Sequence, residues 1–263
     1  MLRRRFTTPR GSPVMHRSHL LLIVLVTAGC TGASSLQPAS TVPAGTWRLG
    51  AQAQASPWCS TSGDPANRCA MLPDGTPLPE LRFTARRGLD AASDVGLSVP
   101  ISVHLGPREG FEQLGIRAGL QGDYKRVLWR RSLGGDREQL ISMAPGLGVF
   151  AVTHAPRNAL VPDVDLALPL SFGHQTRGHE WVVGLELAER LRVRMAEVDP
   201  ARRLQASTEL GLFAAVFSRD GAHTGWQVGY HAPVHAPGGG RFTLGFAFSL
   251  DVGGARATAT SSP

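Results

Sequence analysis

The stretch Val95-Gly-Leu-Ser-Val-Pro-Ile-Ser-Val-His-Leu105 decides the fold. Val95, Leu97, Val99, Ile101, Val103 and Leu105 are apolar, and Gly96, Ser98, Pro100, Ser102 and His104 between them are small or polar. Successive side chains of a strand point to opposite faces, so a strict period of two predicts a strand with one oily face and one lean face. The same alternation returns from Phe242 to Val252, where Phe242, Leu244, Phe246, Phe248, Leu250 and Val252 are separated by Thr243, Gly245, Ala247, Ser249 and Asp251.

Working outward, further strands are predicted from Trp47, Leu81, Leu114, Ile141, Val164, Trp181, Leu204 and Trp226. Gly134-Gly135-Asp136, Asp199-Pro200 and Asp220-Gly221 mark tight turns between them, with looser breaks at Ala155-Pro156 and Pro237–Gly240. Glu186–Val198 competes as an amphipathic helix, but Arg190, Arg192 and Arg194 alternate with Leu191, Val193 and Met195, which fits a strand better. The expectation is an all-β chain, an antiparallel up-and-down barrel of about ten strands, with eight to twelve possible.

Alternation alone does not say which face is wet. A soluble barrel turns its oily face inward and shows Lys, Glu, Asp and Thr to water. Here the lean face is crowded with Gly, Ser and Ala plus charges of both signs, which suits a narrow closed interior. Several oily runs reach the length a tilted strand needs to cross a bilayer. On these features residues 46–252 resemble the bacterial outer-membrane β-barrel class. That resemblance implies a transmembrane barrel with an even strand number and the N-terminus in the periplasm. It also implies outer-membrane lipid and the barrel assembly machinery as partners. Trp47, Trp129, Trp181, Trp226 and Tyr230 would form the interfacial girdles. Phe248 would be the nearest equivalent of the terminal aromatic that the machinery reads. Aromatic residues are only 6% of the chain. A soluble periplasmic, lipocalin-like ligand-binding barrel and a β-sandwich remain open alternatives.

The net charge of +7 over 263 residues is concentrated at the front. Residues 1–29 hold Arg3, Arg4, Arg5, Arg10 and Arg17 and no acid, so the remainder is nearly balanced, which argues against a nucleic-acid partner. Lys125, the only lysine, reads as coding bias rather than function. Leu20–Val26 is an apolar run behind basic residues, too short to span a bilayer, and predicts a signal peptide over 1–29 beginning at Met1 or Met15. Ala28-Gly29-Cys30 resembles the end of a bacterial lipoprotein signal, which implies acylation of Cys30; the alternative is plain cleavage. Cys59 and Cys69, ten apart in a Pro/Gly/Ser-rich stretch, then remain for a local disulfide worth about 2–3 kcal/mol at most. Residues 30–45 read as a flexible tether and 253–263 as a disordered tail.

Motifs for chemistry are sparse. There is no dinucleotide fingerprint, phosphate loop or nucleophile elbow, and His179-Glu180 continues without the second histidine of a zinc protease. No cofactor, metal or catalytic residue is expected. A rim-site lipid-modifying enzyme using Ser171, His174 and Glu180 is the remote alternative. The informative residues are the charges on the lean face: Arg48, Arg82, Arg86, Arg117, Arg190, Arg192 and Arg194 against Asp123, Asp163, Asp165, Glu180, Glu186 and Glu209. Desolvated charges must pair, so these are expected either to fill the barrel as salt-bridged plugs, a structural role, or to line a narrow passive pore for a small solute or ion, favouring anions.

Overall fold

A computed structural model describes residues 36–55, 58–60, 76–105, 114–154, 159–193, 204–219, 222–234 and 239–253. The strands are β1 (Trp47–Ala55), β2 (Trp58–Ser60), β3 (Thr76–Gly88), β4 (Ser93–Leu105), β5 (Leu114–Gly134), β6 (Arg137–Met143), β7 (Gly146–His154), β8 (Ala159–Gln175), β9 (His179–Val193), β10 (Leu204–Ser218), β11 (His223–Pro233) and β12 (Gly239–Val252). All neighbours pair antiparallel and, apart from β2, the wall follows chain order. The sheet closes because β1 pairs with both β3 and β12, Trp47 standing opposite Arg87 on one side and Val252 on the other. β6 and β7 form one wall strand between β5 and β8, interrupted at Ala144-Pro145, where proline lacks an N–H for the ladder. The register is the same on both sides of the interruption, so the wall has ten strands, with β2 a short flap on the end of β12.

The oily face points out. Leu97, Phe83, Val183, Leu212 and Val228 are each about half exposed, while Ser98, Ser102, Arg82 and Glu186 on the alternate positions are 4%, 1%, 2% and 0% exposed. The wall is inverted relative to a soluble barrel. The period-two reading of Glu186–Val198 holds through Val193, where β9 ends. The fifth strand is longer than its alternation suggests. β5 runs for 21 residues because a bulge between Val127 and Trp129 shifts the phase and hides the second half of the strand from a simple period.

Both ends of the wall, Trp47 and Val252, lie at one rim. The connections at that rim are short: residues 89–92, 135–136, 176–178 and 219–222. The 135–136 turn follows Gly134 and contains Gly135, whose φ angles of 90° and 59° lie where only glycine sits without strain. Connections at the opposite rim reach ten residues or more at 194–203 and between β1 and β3.

The tether expectation for residues 30–45 needs correction over its described part. Residues 36–45 turn back from β1 into the lumen, where Leu36, Ala39 and Val42 are 5%, 1% and 1% exposed. The chain enters through a bend at Gly45, whose N–H donates to the Gly88 carbonyl at 3.0 Å. A Cβ on Gly88 would drive into the carbonyl oxygens of Val42 and Pro43, so this close approach requires glycine there.

Candidate functional site

Among the described residues, the lumen gathers most of the buried polar side chains. In the half away from the termini, Arg82 of β3 donates to Glu80 and, at 2.9 Å, to Gln121 of β5. Beside them Arg117 of β5 reaches Asp165 of β8 at 2.6 Å and Asp163 at 3.6 Å. Arg190 of β9 takes the other oxygen of Asp165 at 3.0 Å. The Arg117 guanidinium also stacks on the inward ring of Phe150, 3.4 Å from its centroid. That ring fits because Gly119 and Gly148 carry no side chain; a Cβ on either would come within 2.5 Å of it. One carboxylate shared by two guanidiniums, one of them stacked on a buried ring, fills this part of the lumen.

The half next to the termini is organised differently. Arg86 of β3 binds Asp94 of β4 and, at 2.7 Å, Asp123 of β5. Lys125 of β5 lies 3.4 Å from Asp94 but donates to the main-chain carbonyls of Ser40, at 2.6 Å, and Pro38, at 3.1 Å. Asp94 accepts the Val42 N–H at 2.9 Å. Glu180 of β9 accepts the N–H and hydroxyl of Ser40, at 2.9 and 2.6 Å, and the amide of Gln175 at 3.0 Å. Gln52 of β1 exchanges two hydrogen bonds with the backbone of Leu36. Leu36 and Ala39 seat on an apolar patch of Val127, Leu140, Val182, Ala215, Phe217 and Ala247. Between the segment and the wall remains a cavity of about 170 Å³, bordered at its mouth by Arg48, His223 and Asp251. There Arg48 holds Asp251 at 2.6 Å, and His223 Nε2 is 3.1 Å from the same carboxylate.

Of the charges singled out in the sequence, Arg82, Arg86, Arg117, Asp163, Asp165, Glu180 and Glu186 are buried in the lumen. Arg48 sits at its mouth, and Arg190 and Glu209 are half-buried. The side chain of Arg192, and all of Arg194, Cys30 and Cys69, lie outside the described residues, as does the signal region. Cys59 falls on β2, opposite Gly240. Ser171, His174 and Glu180 do not form one site, since Ser171 and His174 are three positions apart on β8 and therefore face opposite sides of the wall. The sequence reading passed over Glu80, Asp94, Lys125, Gln52 and Gln175. A lone lysine on the lean face of a strand was the available signal for Lys125.

No family model matches the chain, and no curated protein matches it. Similar solved structures include the COG4313 outer membrane channel from Pseudomonas putida F1, 14% identical with 83% of this chain and 100% of that chain covered at a TM-score of 0.42. Ail, the attachment invasion locus protein of Yersinia pestis, is 9% identical, with 80% and 99% covered at 0.32. The translocator domain of the autotransporter NalP from Neisseria meningitidis is 9% identical, with 78% and 88% covered at 0.32. The likeness is too loose to carry a function from any of them to this chain.

Proposed function

We propose that this chain is an outer-membrane β-barrel of structural role, its termini facing the periplasm and its lumen closed by its own charges and N-terminal segment. The observation that carries this is the inverted wall: aliphatic and aromatic side chains cover the outside of all ten strands, while carboxylates and guanidiniums are paired within. Water gives no reason to expose that much contiguous hydrocarbon, whereas a bilayer does. Trp47, Trp129, Trp181 and Trp226 are exposed toward the terminus-bearing rim, and Tyr230 stacks on Phe242 toward the other, which suits two interfaces. Short turns at the rim of the termini and longer loops opposite support the periplasmic orientation. Export by a signal over residues 1–29, acylation of Cys30, a Cys59–Cys69 disulfide and insertion by the barrel assembly machinery complete the reading.

A Cys30→Ser variant tests it. The expected result is that the variant stays in the membrane fraction through high-salt and carbonate washes; release into the soluble fraction would overturn it and favour a soluble ligand-binding barrel. The passive-pore alternative draws on the cavity at the mouth, and planar-bilayer recording separates the two, because a structural barrel is silent. Where a path does exist, Glu80, Asp94 and Asp251 add to the acids read from the sequence, so the lumen leans toward cations rather than the anions that its arginines alone suggest.

A further inference from the structure

We propose that the terminus-side half of the lumen is a binding site for an uncharged, small-residue peptide, occupied here by the chain's own residues 36–45, and that this occupant is exchangeable. The inference rests on reading the barrel as membrane-spanning. Its ground is the kind of contact made. Gln52, Asp94, Lys125 and Glu180 come from four different strands, and each addresses the segment's main chain. Between them they engage the Leu36 N–H and carbonyl, the Pro38 carbonyl, the Ser40 N–H and carbonyl and the Val42 N–H. Charge balance alone would be met by the ion pair that Lys125 makes with Asp94 at 3.4 Å. Lys125 adds to it two donations to peptide carbonyls, and Glu180 turns both oxygens to one serine.

The seat also measures side-chain size. A Cβ on Gly173 would stand 2.6 Å from the Ala39 Cβ, so the groove accepts alanine at that point and little more. Leu36 and Ala39 both use the apolar floor, which includes Phe217 and Ala247. The segment is not part of the wall. Beyond its continuity with β1, the only ladder contact among its described residues is the bridge from Ala44 to Gly88. Its removal therefore leaves the barrel's own hydrogen bonds intact and exposes a cleft whose polar groups are set for peptide backbone. Hydrogen bonds to a peptide's main chain give affinity that depends little on its side chains.

The test uses full-length protein in lipid bilayers, with the heat-modified gel shift reporting a folded barrel. Ala39→Trp makes the segment too large for its seat while leaving the wall unchanged. The folded variant is expected to bind a fluorescein-labelled peptide of residues 36–45, added from the side of the termini, at least tenfold more tightly than the parent. A labelled peptide carrying tryptophan in place of Ala39 is expected not to bind. A folded variant that binds the matching peptide no better than the parent, or that binds both peptides alike, would overturn the proposal. Should Ala39→Trp not fold, Ser40→Pro, which removes the N–H and hydroxyl that Glu180 accepts, takes its place. Failure of both to fold would overturn the proposal too, since the segment would then belong to the fold. Absence of the parent from the membrane would instead defeat the membrane reading beneath it.

Discussion

Glu180 of β9 grips Ser40 with both carboxylate oxygens, one on its N–H at 2.9 Å and one on its hydroxyl at 2.6 Å, joining residues 140 apart in the chain. The carboxylate is 1% exposed and its remaining partner is the Gln175 amide. Glu180→Gln keeps the shape but loses the charge, and places a donor where Ser40 and Gln175 both donate. The expected cost is about 1–3 kcal/mol, the range for a charge-assisted bond with a group left unpaired. Reversible unfolding of the barrel in urea, followed by tryptophan fluorescence, checks it. An unchanged midpoint would show that the segment adds no stability.

Asp165 is the joint between two guanidiniums. Asp165→Asn leaves Arg117 and Arg190 facing each other in the lumen without the charge that both use. Breaking a buried pair from one side costs about 3–5 kcal/mol. Adding Arg190→Met to that variant is expected to recover a large part of the loss, because it removes one orphaned cation. Equilibrium unfolding in lipid vesicles gives both numbers. Equal loss in single and double variants would show that the two arginines are not coupled through Asp165.

Leu97 lies on the outer wall and Ser98, beside it, in the lumen, 50% and 4% exposed. Leu97→Arg is expected to destabilise the inserted barrel by about 2–4 kcal/mol if it sits near the bilayer midplane. The same change at Trp181, toward the terminus-bearing rim, is expected to cost less because an arginine there reaches the headgroups. Folding free energies in vesicles of one lipid composition compare the two. The reverse order would place hydrocarbon elsewhere on the wall.

Asp90 lies in the turn between β3 and β4, outside the wall. The Ala92 N–H donates to its carboxylate at 2.7 Å, and this bond, with help from Ser93, holds its pKa below the ordinary 3.8. A depressed carboxyl contributes stability above its unfolded pKa and loses it as pH falls through the lower folded value. The turn should therefore keep its conformation through pH 4 and loosen only in stronger acid. Carbon NMR titration of the carboxyl in detergent measures it. A midpoint at or above 3.8 would show that the bond does not form in solution.

What could be read in advance follows from what each side chain has to satisfy. Between Val95 and Leu105 one face must meet an apolar medium and the other cannot, so the period is written into residue type, and the turn at Gly134-Gly135 into a backbone only glycine adopts easily. Residues 36–45 gave no such sign. Their groups in the seat are mainly backbone N–H and C=O, which every residue carries, and Pro38, Ser40 and Thr41 look like any solvated linker. Lys125 and Glu180, which hold them, cannot be told from wall charges that pair with one another until the strands are placed around the lumen. The second half of β5 was hidden for a different reason: its bulge reverses the phase, so Arg130 falls in line with Leu140 on the inner side.

The central claim is that hydrocarbon touches the wall and polar groups fill the inside. Spin labels placed one at a time from Val95 to Ile101, in barrels folded into vesicles, measure it through relaxation by dissolved oxygen and by a water-soluble nickel complex. The account predicts that labels at 95, 97, 99 and 101 respond to oxygen and are shielded from nickel, with those at 96, 98 and 100 reversed or immobile. Nickel reaching the odd-numbered positions as freely as it reaches bulk solvent would contradict it.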